Sequence, residues 1–190
     1  MIFKNLTEIE QIKKLERIIQ RLSNGATTCI IENYSQLNKP ILIAFSQGAL
    51  NKIRLFDAHN GSDFIGEITY SRHKDNVFIS FFEVKKEYQQ KGLGKLLFNL
   101  SLAHIDYRGG TKIYGEATPM SEVLGINTYD EDSFDQIQNA LYLIYKKLGC
   151  EFDFNTFKHS WKPGEKFNKL PLFLQDTIKD FEEKVNGYNV

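Results

Sequence analysis

"NVFISFFEVKKEYQQKGLGKLL", Asn76 to Leu97, runs from an apolar strand through a short polar turn and two glycines into a leucine-rich helix. Glycine costs about 0.5–1 kcal/mol relative to alanine inside a helix or strand, so Gly92 and Gly94 at this junction need a reason. Two readings are open. The glycines form a turn that lets helix and strand pack, or they clear the way for a ligand to approach the backbone. N–H groups point out of a helix N-terminus, where the macrodipole is positive, and phosphates bind there. Lys91 and Lys95 add positive charge, with Lys85 and Lys86 close by. A Walker A loop is excluded, because no hydroxyl residue follows Lys95. The dinucleotide G-x-G-x-x-G pattern is excluded too, because Leu97 stands where its third glycine belongs.

Working outward, the spacing of Leu6, Ile9, Ile12, Leu15, Ile19 and Leu22 predicts an amphipathic helix over 7–22, with Thr7 and Glu10 as a capping box. β-Branched and aromatic residues predict strands at 27–34, 41–45, 52–58, 64–71 and 76–84. The turns between them are short, which implies an antiparallel meander. The last of these strands is apolar on both faces and is placed centrally in the sheet. A helix over 92–107 and a strand over 111–118 follow, and a strand after a helix is expected to run parallel to the strand before it. Residues 119–132 read as a polar, acidic loop and 133–148 as a second helix. The stretch 150–162 reads as strand, and a terminal helix opens at Pro171.

The chain has 190 residues, 24 basic and 24 acidic, and reads as one domain over 1–190 with a helical extension over 164–190. Zero net charge argues against a general nucleic-acid or membrane-surface binder. Cys29 and Cys150 have no metal-ligand spacing and read as reduced thiols, so no metal is expected. No apolar run is long enough for a membrane span, and a cytoplasmic location is the default. The four histidines do not cluster and read as turn or surface residues.

"FEVKKEYQQKGLGKLL" resembles the acetyl-CoA-binding motif of the GNAT N-acetyltransferase superfamily. The matching positions are Phe82, Val84, Tyr88, Gln89, Gly92 and Gly94, with Lys86 where the family often has proline. A second landmark, "YKKLGC", places Tyr145, Gly149 and Cys150 at the end of the late helix, with Cys150 in place of the usual aromatic. Gln138 and Leu141 stand where Asn and Ala often precede that tyrosine. The resemblance covers about residues 1–160. It implies an α/β fold of the α+β type: a mixed, mostly antiparallel sheet flanked by helices.

The resemblance also implies acetyl transfer from acetyl-CoA, as cosubstrate, to an amine of a small molecule or protein. Backbone groups near Phe82 and Val84 would hold the acetyl carbonyl and pantetheine. The segment Gln89, Gln90, Lys91, Gly92, Gly94 and Lys95 would wrap the pyrophosphate. Tyr145 would protonate the leaving thiolate, since a tyrosine near pKa 10 can donate to a thiolate near 8.5. The base is expected to be Glu116, with Glu83 and Glu67 as alternatives. A non-catalytic CoA-binding or regulatory module of the same fold is the rival reading. A homodimer is left open, and the acidic run 129–135 is either a seat for a cationic amine or a solvated helix start.

Overall fold

The computed structural model describes residues 8–22, 26–58, 63–73, 76–110, 112–116, 143, 145–147, 149, 151–153, 158–161 and 165–187. The elements are α1 (Glu8–Leu22), β1 (Thr27–Tyr34), β2 (Lys39–Gln47), β3 (Asn51–Asp57), β4 (Asp63–His73), β5 (Asn76–Val84), α2 (Leu93–Tyr107), β6 (Lys112–Glu116), β7 (Glu151–Asp153), β8 (Lys158–Trp161) and α3 (Leu172–Gly187). The strands form one sheet in the order β1-β2-β3-β4-β5-β6-β8-β7.

The first five strands pair antiparallel with their sequence neighbours, as their short turns require. The α2 crossover then brings β6 in parallel to β5, and this is the one parallel pairing among the described strands. The stretch expected as strand over 150–162 holds two strands, β7 paired antiparallel with β8. A 3-10 turn over Lys86–Tyr88 was not foreseen. Leu143 and Tyr145 to Lys147 are helical, within the helix expected over 133–148. The remainder of that helix, the 119–132 loop and the acidic run at 129–135 lie outside the described residues.

β2 shows why the run "ILIAF" is continuous rather than alternating. Ile41, Ile43 and Phe45 join the core under α2 and α3, whereas Leu42 and Ala44 join Leu15 and Ile19 of α1 on the opposite face. α3 is the helix expected from Pro171 onward, outside the common pattern. Its apolar stripe of Leu174, Ile178, Phe181 and Val185 is buried in the larger core. β5 is central, as expected, but only one of its faces is covered. Val77 and Ile79 are buried, while Phe78 and Phe81 are 44% and 37% exposed.

His104 corrects the reading of the histidines as turn or surface residues, because it is fully buried. Tyr70 of β4 bonds His104 Nδ1, and His104 Nε2 bonds Glu182 of α3. Arg108 Nε stands 3.3 Å from the second oxygen of Glu182. Burial, reinforced by the charge of Glu182, pushes the Tyr70 hydroxyl well above its usual range. Tyr70 therefore keeps its proton, and His104 bridges the Tyr70 hydroxyl through Nδ1 and the Glu182 carboxylate through Nε2. Cys29 is a free thiol that burial pushes up to about 11.

Removing one member of a buried charged network leaves its partners unpaired, at a cost of about 3–5 kcal/mol. Glu182→Ala is expected to lower unfolding stability by that amount in urea titration. A loss below about 1 kcal/mol would show that the chain of bonds contributes little to holding α3.

Candidate functional site

The site is built at the far end of β5, where the strand loses one neighbour. The N–H of Lys85 donates to Ile65 O of β4 at 2.9 Å. Backbone groups alternate sides along an antiparallel strand, so the N–H and C=O of Phe82 and Val84 turn away from β4. On that side β6 pairs with β5 only from Asn76 to Ile79, the last pair being Ile79 with Gly115. Among the described residues, no strand lies on that side of β5 from Phe82 to Val84.

β4 stays close to this strand end because Gly66 faces Val84. A Cβ on Gly66 would stand 2.4 Å from Glu83 O, so a side chain there would force the two strands apart. Gly66 was not singled out in the sequence. The signal was present in "FIGEITY", since an isolated glycine within a strand pattern marks a close backbone approach.

After β5 the chain makes the 3-10 turn, in which Tyr88 N–H donates to Lys85 O at 2.9 Å and Gln89 N–H to Lys86 O at 3.2 Å. Gln90 and Gly92 then adopt left-handed φ values of 60° and 71°. Such turns gather successive N–H groups into an anion-binding concavity. Gly92 is the N-cap of α2 and carries no side-chain cap. The first intrahelical bond runs from Leu96 N–H to Gly92 O. Among the described residues, no acceptor meets the N–H groups from Gln90 to Lys95. No acidic residue occupies the first turn of α2 to compete for them. These six consecutive donors lie at the positive end of α2, where negative charge is favoured.

Several expected residues gather here, with adjusted roles. Gln89 is not among the free donors, because its N–H is spent in the 3-10 turn. Its side-chain amide instead donates to Val84 O at 3.0 Å. Lys91 Nζ donates to Glu87 O at 2.8 Å and lies 5.5 Å above the Tyr88 ring, so its charge is held over the turn. Lys95 is exposed.

The two glycines do different work. A Cβ on Gly92 would lie 2.6 Å from Gln36 Oε1 and 3.0 Å from the Tyr34 hydroxyl, in addition to the left-handed φ. A Cβ on Gly94 would make ordinary contacts with Phe82 and Val84, at 3.5 and 3.8 Å.

Tyr145 is half-buried and packs against the core shared by α2 and β5. Glu116 is the last residue of β6, one beyond the final β5 pair, and is paired with Lys158 of β8. Its side chain lies outside the described residues. Glu83 faces Glu67 across β4 and β5. Glu67 is paired with Arg54, whose Nε stands 3.0 Å away. No helix among the described residues is long and apolar enough to cross a membrane.

No family model and no curated protein matches the chain. Solved structures do. A mutant of the cAMP-binding acyltransferase from Mycobacterium smegmatis superposes with a TM-score of 0.60 at 14% identity, covering 92% of this chain and 60% of that one. The unmutated protein gives 0.59 at 14% identity, over 91% and 59%. A PaiA N-acetyltransferase from Thermoplasma acidophilum in complex with coenzyme A gives 0.41 at 16% identity, over 79% and 69%. The chain thus spans about 60% of the length of the Mycobacterium acyltransferase. The likeness to that acyltransferase is one of fold, and it bears out the mixed, mostly antiparallel sheet flanked by helices that the motif implied.

The glycine geometry predicts unequal substitutions. Gly92→Ala must place a Cβ at a left-handed φ and against Gln36, and is expected to cost about 1–3 kcal/mol. Gly94→Ala should change stability by less than about 1 kcal/mol, in either direction, since alanine favours the helix. Thermal unfolding of the two variants checks this, and equal losses would contradict it.

Proposed function

We propose that the chain is an acetyl-CoA-dependent N-acetyltransferase that acts on a primary amine. The observation that carries this reading is the row of N–H groups from Gln90 to Lys95 that meet no acceptor among the described residues, set beside the edge of β5 that no described strand pairs. That arrangement fits the ligand in two chemically distinct parts. The free donors at the start of α2 suit a pyrophosphate. The outward N–H and C=O of Phe82 and the N–H of Val84 suit the pantetheine amides and the thioester carbonyl, while Val84 O is held by Gln89 Nε2. The fold shared with an acyltransferase agrees with both.

In the reaction, the neutral amine nitrogen attacks the thioester carbonyl carbon. The C–N bond forms, the C–S bond breaks, and the sulfur leaves with the electron pair. The nitrogen loses one proton and the thiolate gains one. Tyr145 is assigned the donation to sulfur from the motif resemblance, and Glu116 the removal of the nitrogen's proton from its place on the strand after the motif helix. Glu116 suits the task by position, at the point where β6 parts from β5.

Calorimetry with acetyl-CoA and turnover with an amine panel test the reading. Binding is expected, with a stability gain of about 2.7 kcal/mol at 100 times the dissociation constant. No binding of acetyl-CoA or CoA at millimolar concentration would overturn the reading. Binding without turnover of any amine would favour the non-catalytic CoA-binding module.

Tyr145→Phe keeps the ring that packs on the core and removes only the hydroxyl. Turnover is expected to fall by roughly 10²–10⁴, the usual worth of a positioned general acid. Acetyl-CoA affinity should stay within a few fold. Unchanged single-turnover chemistry in the folded variant would return Tyr145 to a packing role.

A further inference from the structure

A cradle of backbone donors works only if its carbonyls face away from the ligand. From Val84 to Gly92, six of the nine carbonyls are held by a donor of the protein. Lys85 O and Lys86 O accept from the N–H groups of Tyr88 and Gln89, at 2.9 and 3.2 Å. Val84 O accepts from Gln89 Nε2, and Glu87 O from Lys91 Nζ. Gly92 O accepts from Leu96 N–H at 3.0 Å. These donors all come from the loop itself or the first turn of α2. Lys91 O is the exception. It accepts from the hydroxyl of Tyr34, 57 positions earlier at the end of β1, at 3.2 Å.

That bond acts on one peptide unit. The C=O of Lys91 and the N–H of Gly92 belong to the same planar trans peptide and point in opposite directions. Holding Lys91 O against Tyr34 therefore aims the Gly92 N–H to the far side, among the free donors. Tyr34 is well placed to hold it. The ring packs against the main core, and the hydroxyl oxygen lies 3.0 Å from where a Gly92 Cβ would stand. Burial raises the pKa of Tyr34, so the hydroxyl stays protonated and remains a donor at neutral pH.

We propose that Tyr34 is a positioning residue of the anion cradle: by bonding Lys91 O, it orients the Gly92 N–H toward a bound diphosphate. This rests on the CoA reading above. Tyr34 touches the ligand nowhere in this account and acts only through the 91–92 peptide. The affected part of the ligand is thus its diphosphate, and the pantetheine arm should be indifferent to the hydroxyl.

Tyr34→Phe keeps the ring and removes the bond, and calorimetry on the folded variant reads the effect with three probes. CoA is expected to bind about three- to tenfold more weakly, in line with the loss of one hydrogen bond that orients a donor. Inorganic pyrophosphate should weaken by a similar factor. Pantetheine, which lacks the diphosphate, should bind both proteins equally. Unchanged CoA affinity in the variant, with wild type binding normally, would overturn the role of Tyr34 and leave the CoA reading standing. Equal weakening of CoA and pantetheine would also overturn it, by showing a general disturbance of the cleft. Failure of wild type to bind CoA at all would remove the CoA reading and this proposal with it. Should Tyr34→Phe fold poorly, Tyr34→Trp keeps a large aromatic there without a hydroxyl at that point, and the same comparison of probes applies.

Discussion

The bonded chain Tyr70–His104–Glu182 ties three elements together: β4 in the sheet, α2 above it, and α3 beside α2. α2 matters most, because its first turn carries the free donors. A rigid helix transmits position along its length, at about 1.5 Å per residue. His104 lies eleven residues beyond Leu93, so about 16 Å of helix separates the buried anchor from the first turn. Phe98 and Leu100 pack in the core between them. With the C-terminal half held by directional bonds, the N-terminal end has little freedom to slide along β5. Gly94 faces Phe82 and Val84 there, with room for a Cβ at ordinary contact distance. The network also explains why α3 belongs to the structure that supports the site. Without Glu182, His104 would be a buried imidazole lacking a partner for Nε2.

The meander, α2 and the crossover to β6 were legible because each follows from local pattern. Strand-forming residues alternate with turn residues over 27–84, and the leucines of 93–100 repeat at helical spacing. The strand β5 was placed centrally because it is apolar on both faces. It is central, although Phe78 and Phe81 on its outer face are 44% and 37% exposed. The strand character of 150–162 was legible, but not its division into β7 and β8, because short aromatic segments give no clear break. His104 was misread because its environment depends on α3, 78 positions away, and no window of sequence reveals that partner.

The same division runs through the site. The free donors were legible, since a helix start after a glycine pair always exposes N–H groups. Their limits were not. The expected set began at Gln89, but the 3-10 turn takes that N–H and moves the start to Gln90. The need for glycine at 92 was legible, but only part of its cause was. The left-handed φ is a local property of the junction. The proximity of Tyr34 and Gln36 is a tertiary one, set by how the β1–β2 turn meets the loop. Tyr34 itself gives no sequence signal, because a tyrosine closing a strand is ordinary.

A site made from backbone groups places few demands on side chains. The N–H groups of Gln90 to Lys95 are supplied by any residues that can adopt the turn. The edge of Phe82 and Val84 is supplied by any strand that leaves its neighbour at the right point. Side-chain identity is constrained only where the backbone has an unusual φ or no room, as at Gly92 and Gly66. Such a site can keep its geometry while most of the sequence changes. Of the motif positions Phe82, Val84, Tyr88, Gln89, Gly92 and Gly94, it is Gly92 whose backbone leaves no choice, and its spacing from the end of the apolar strand is what made the junction readable.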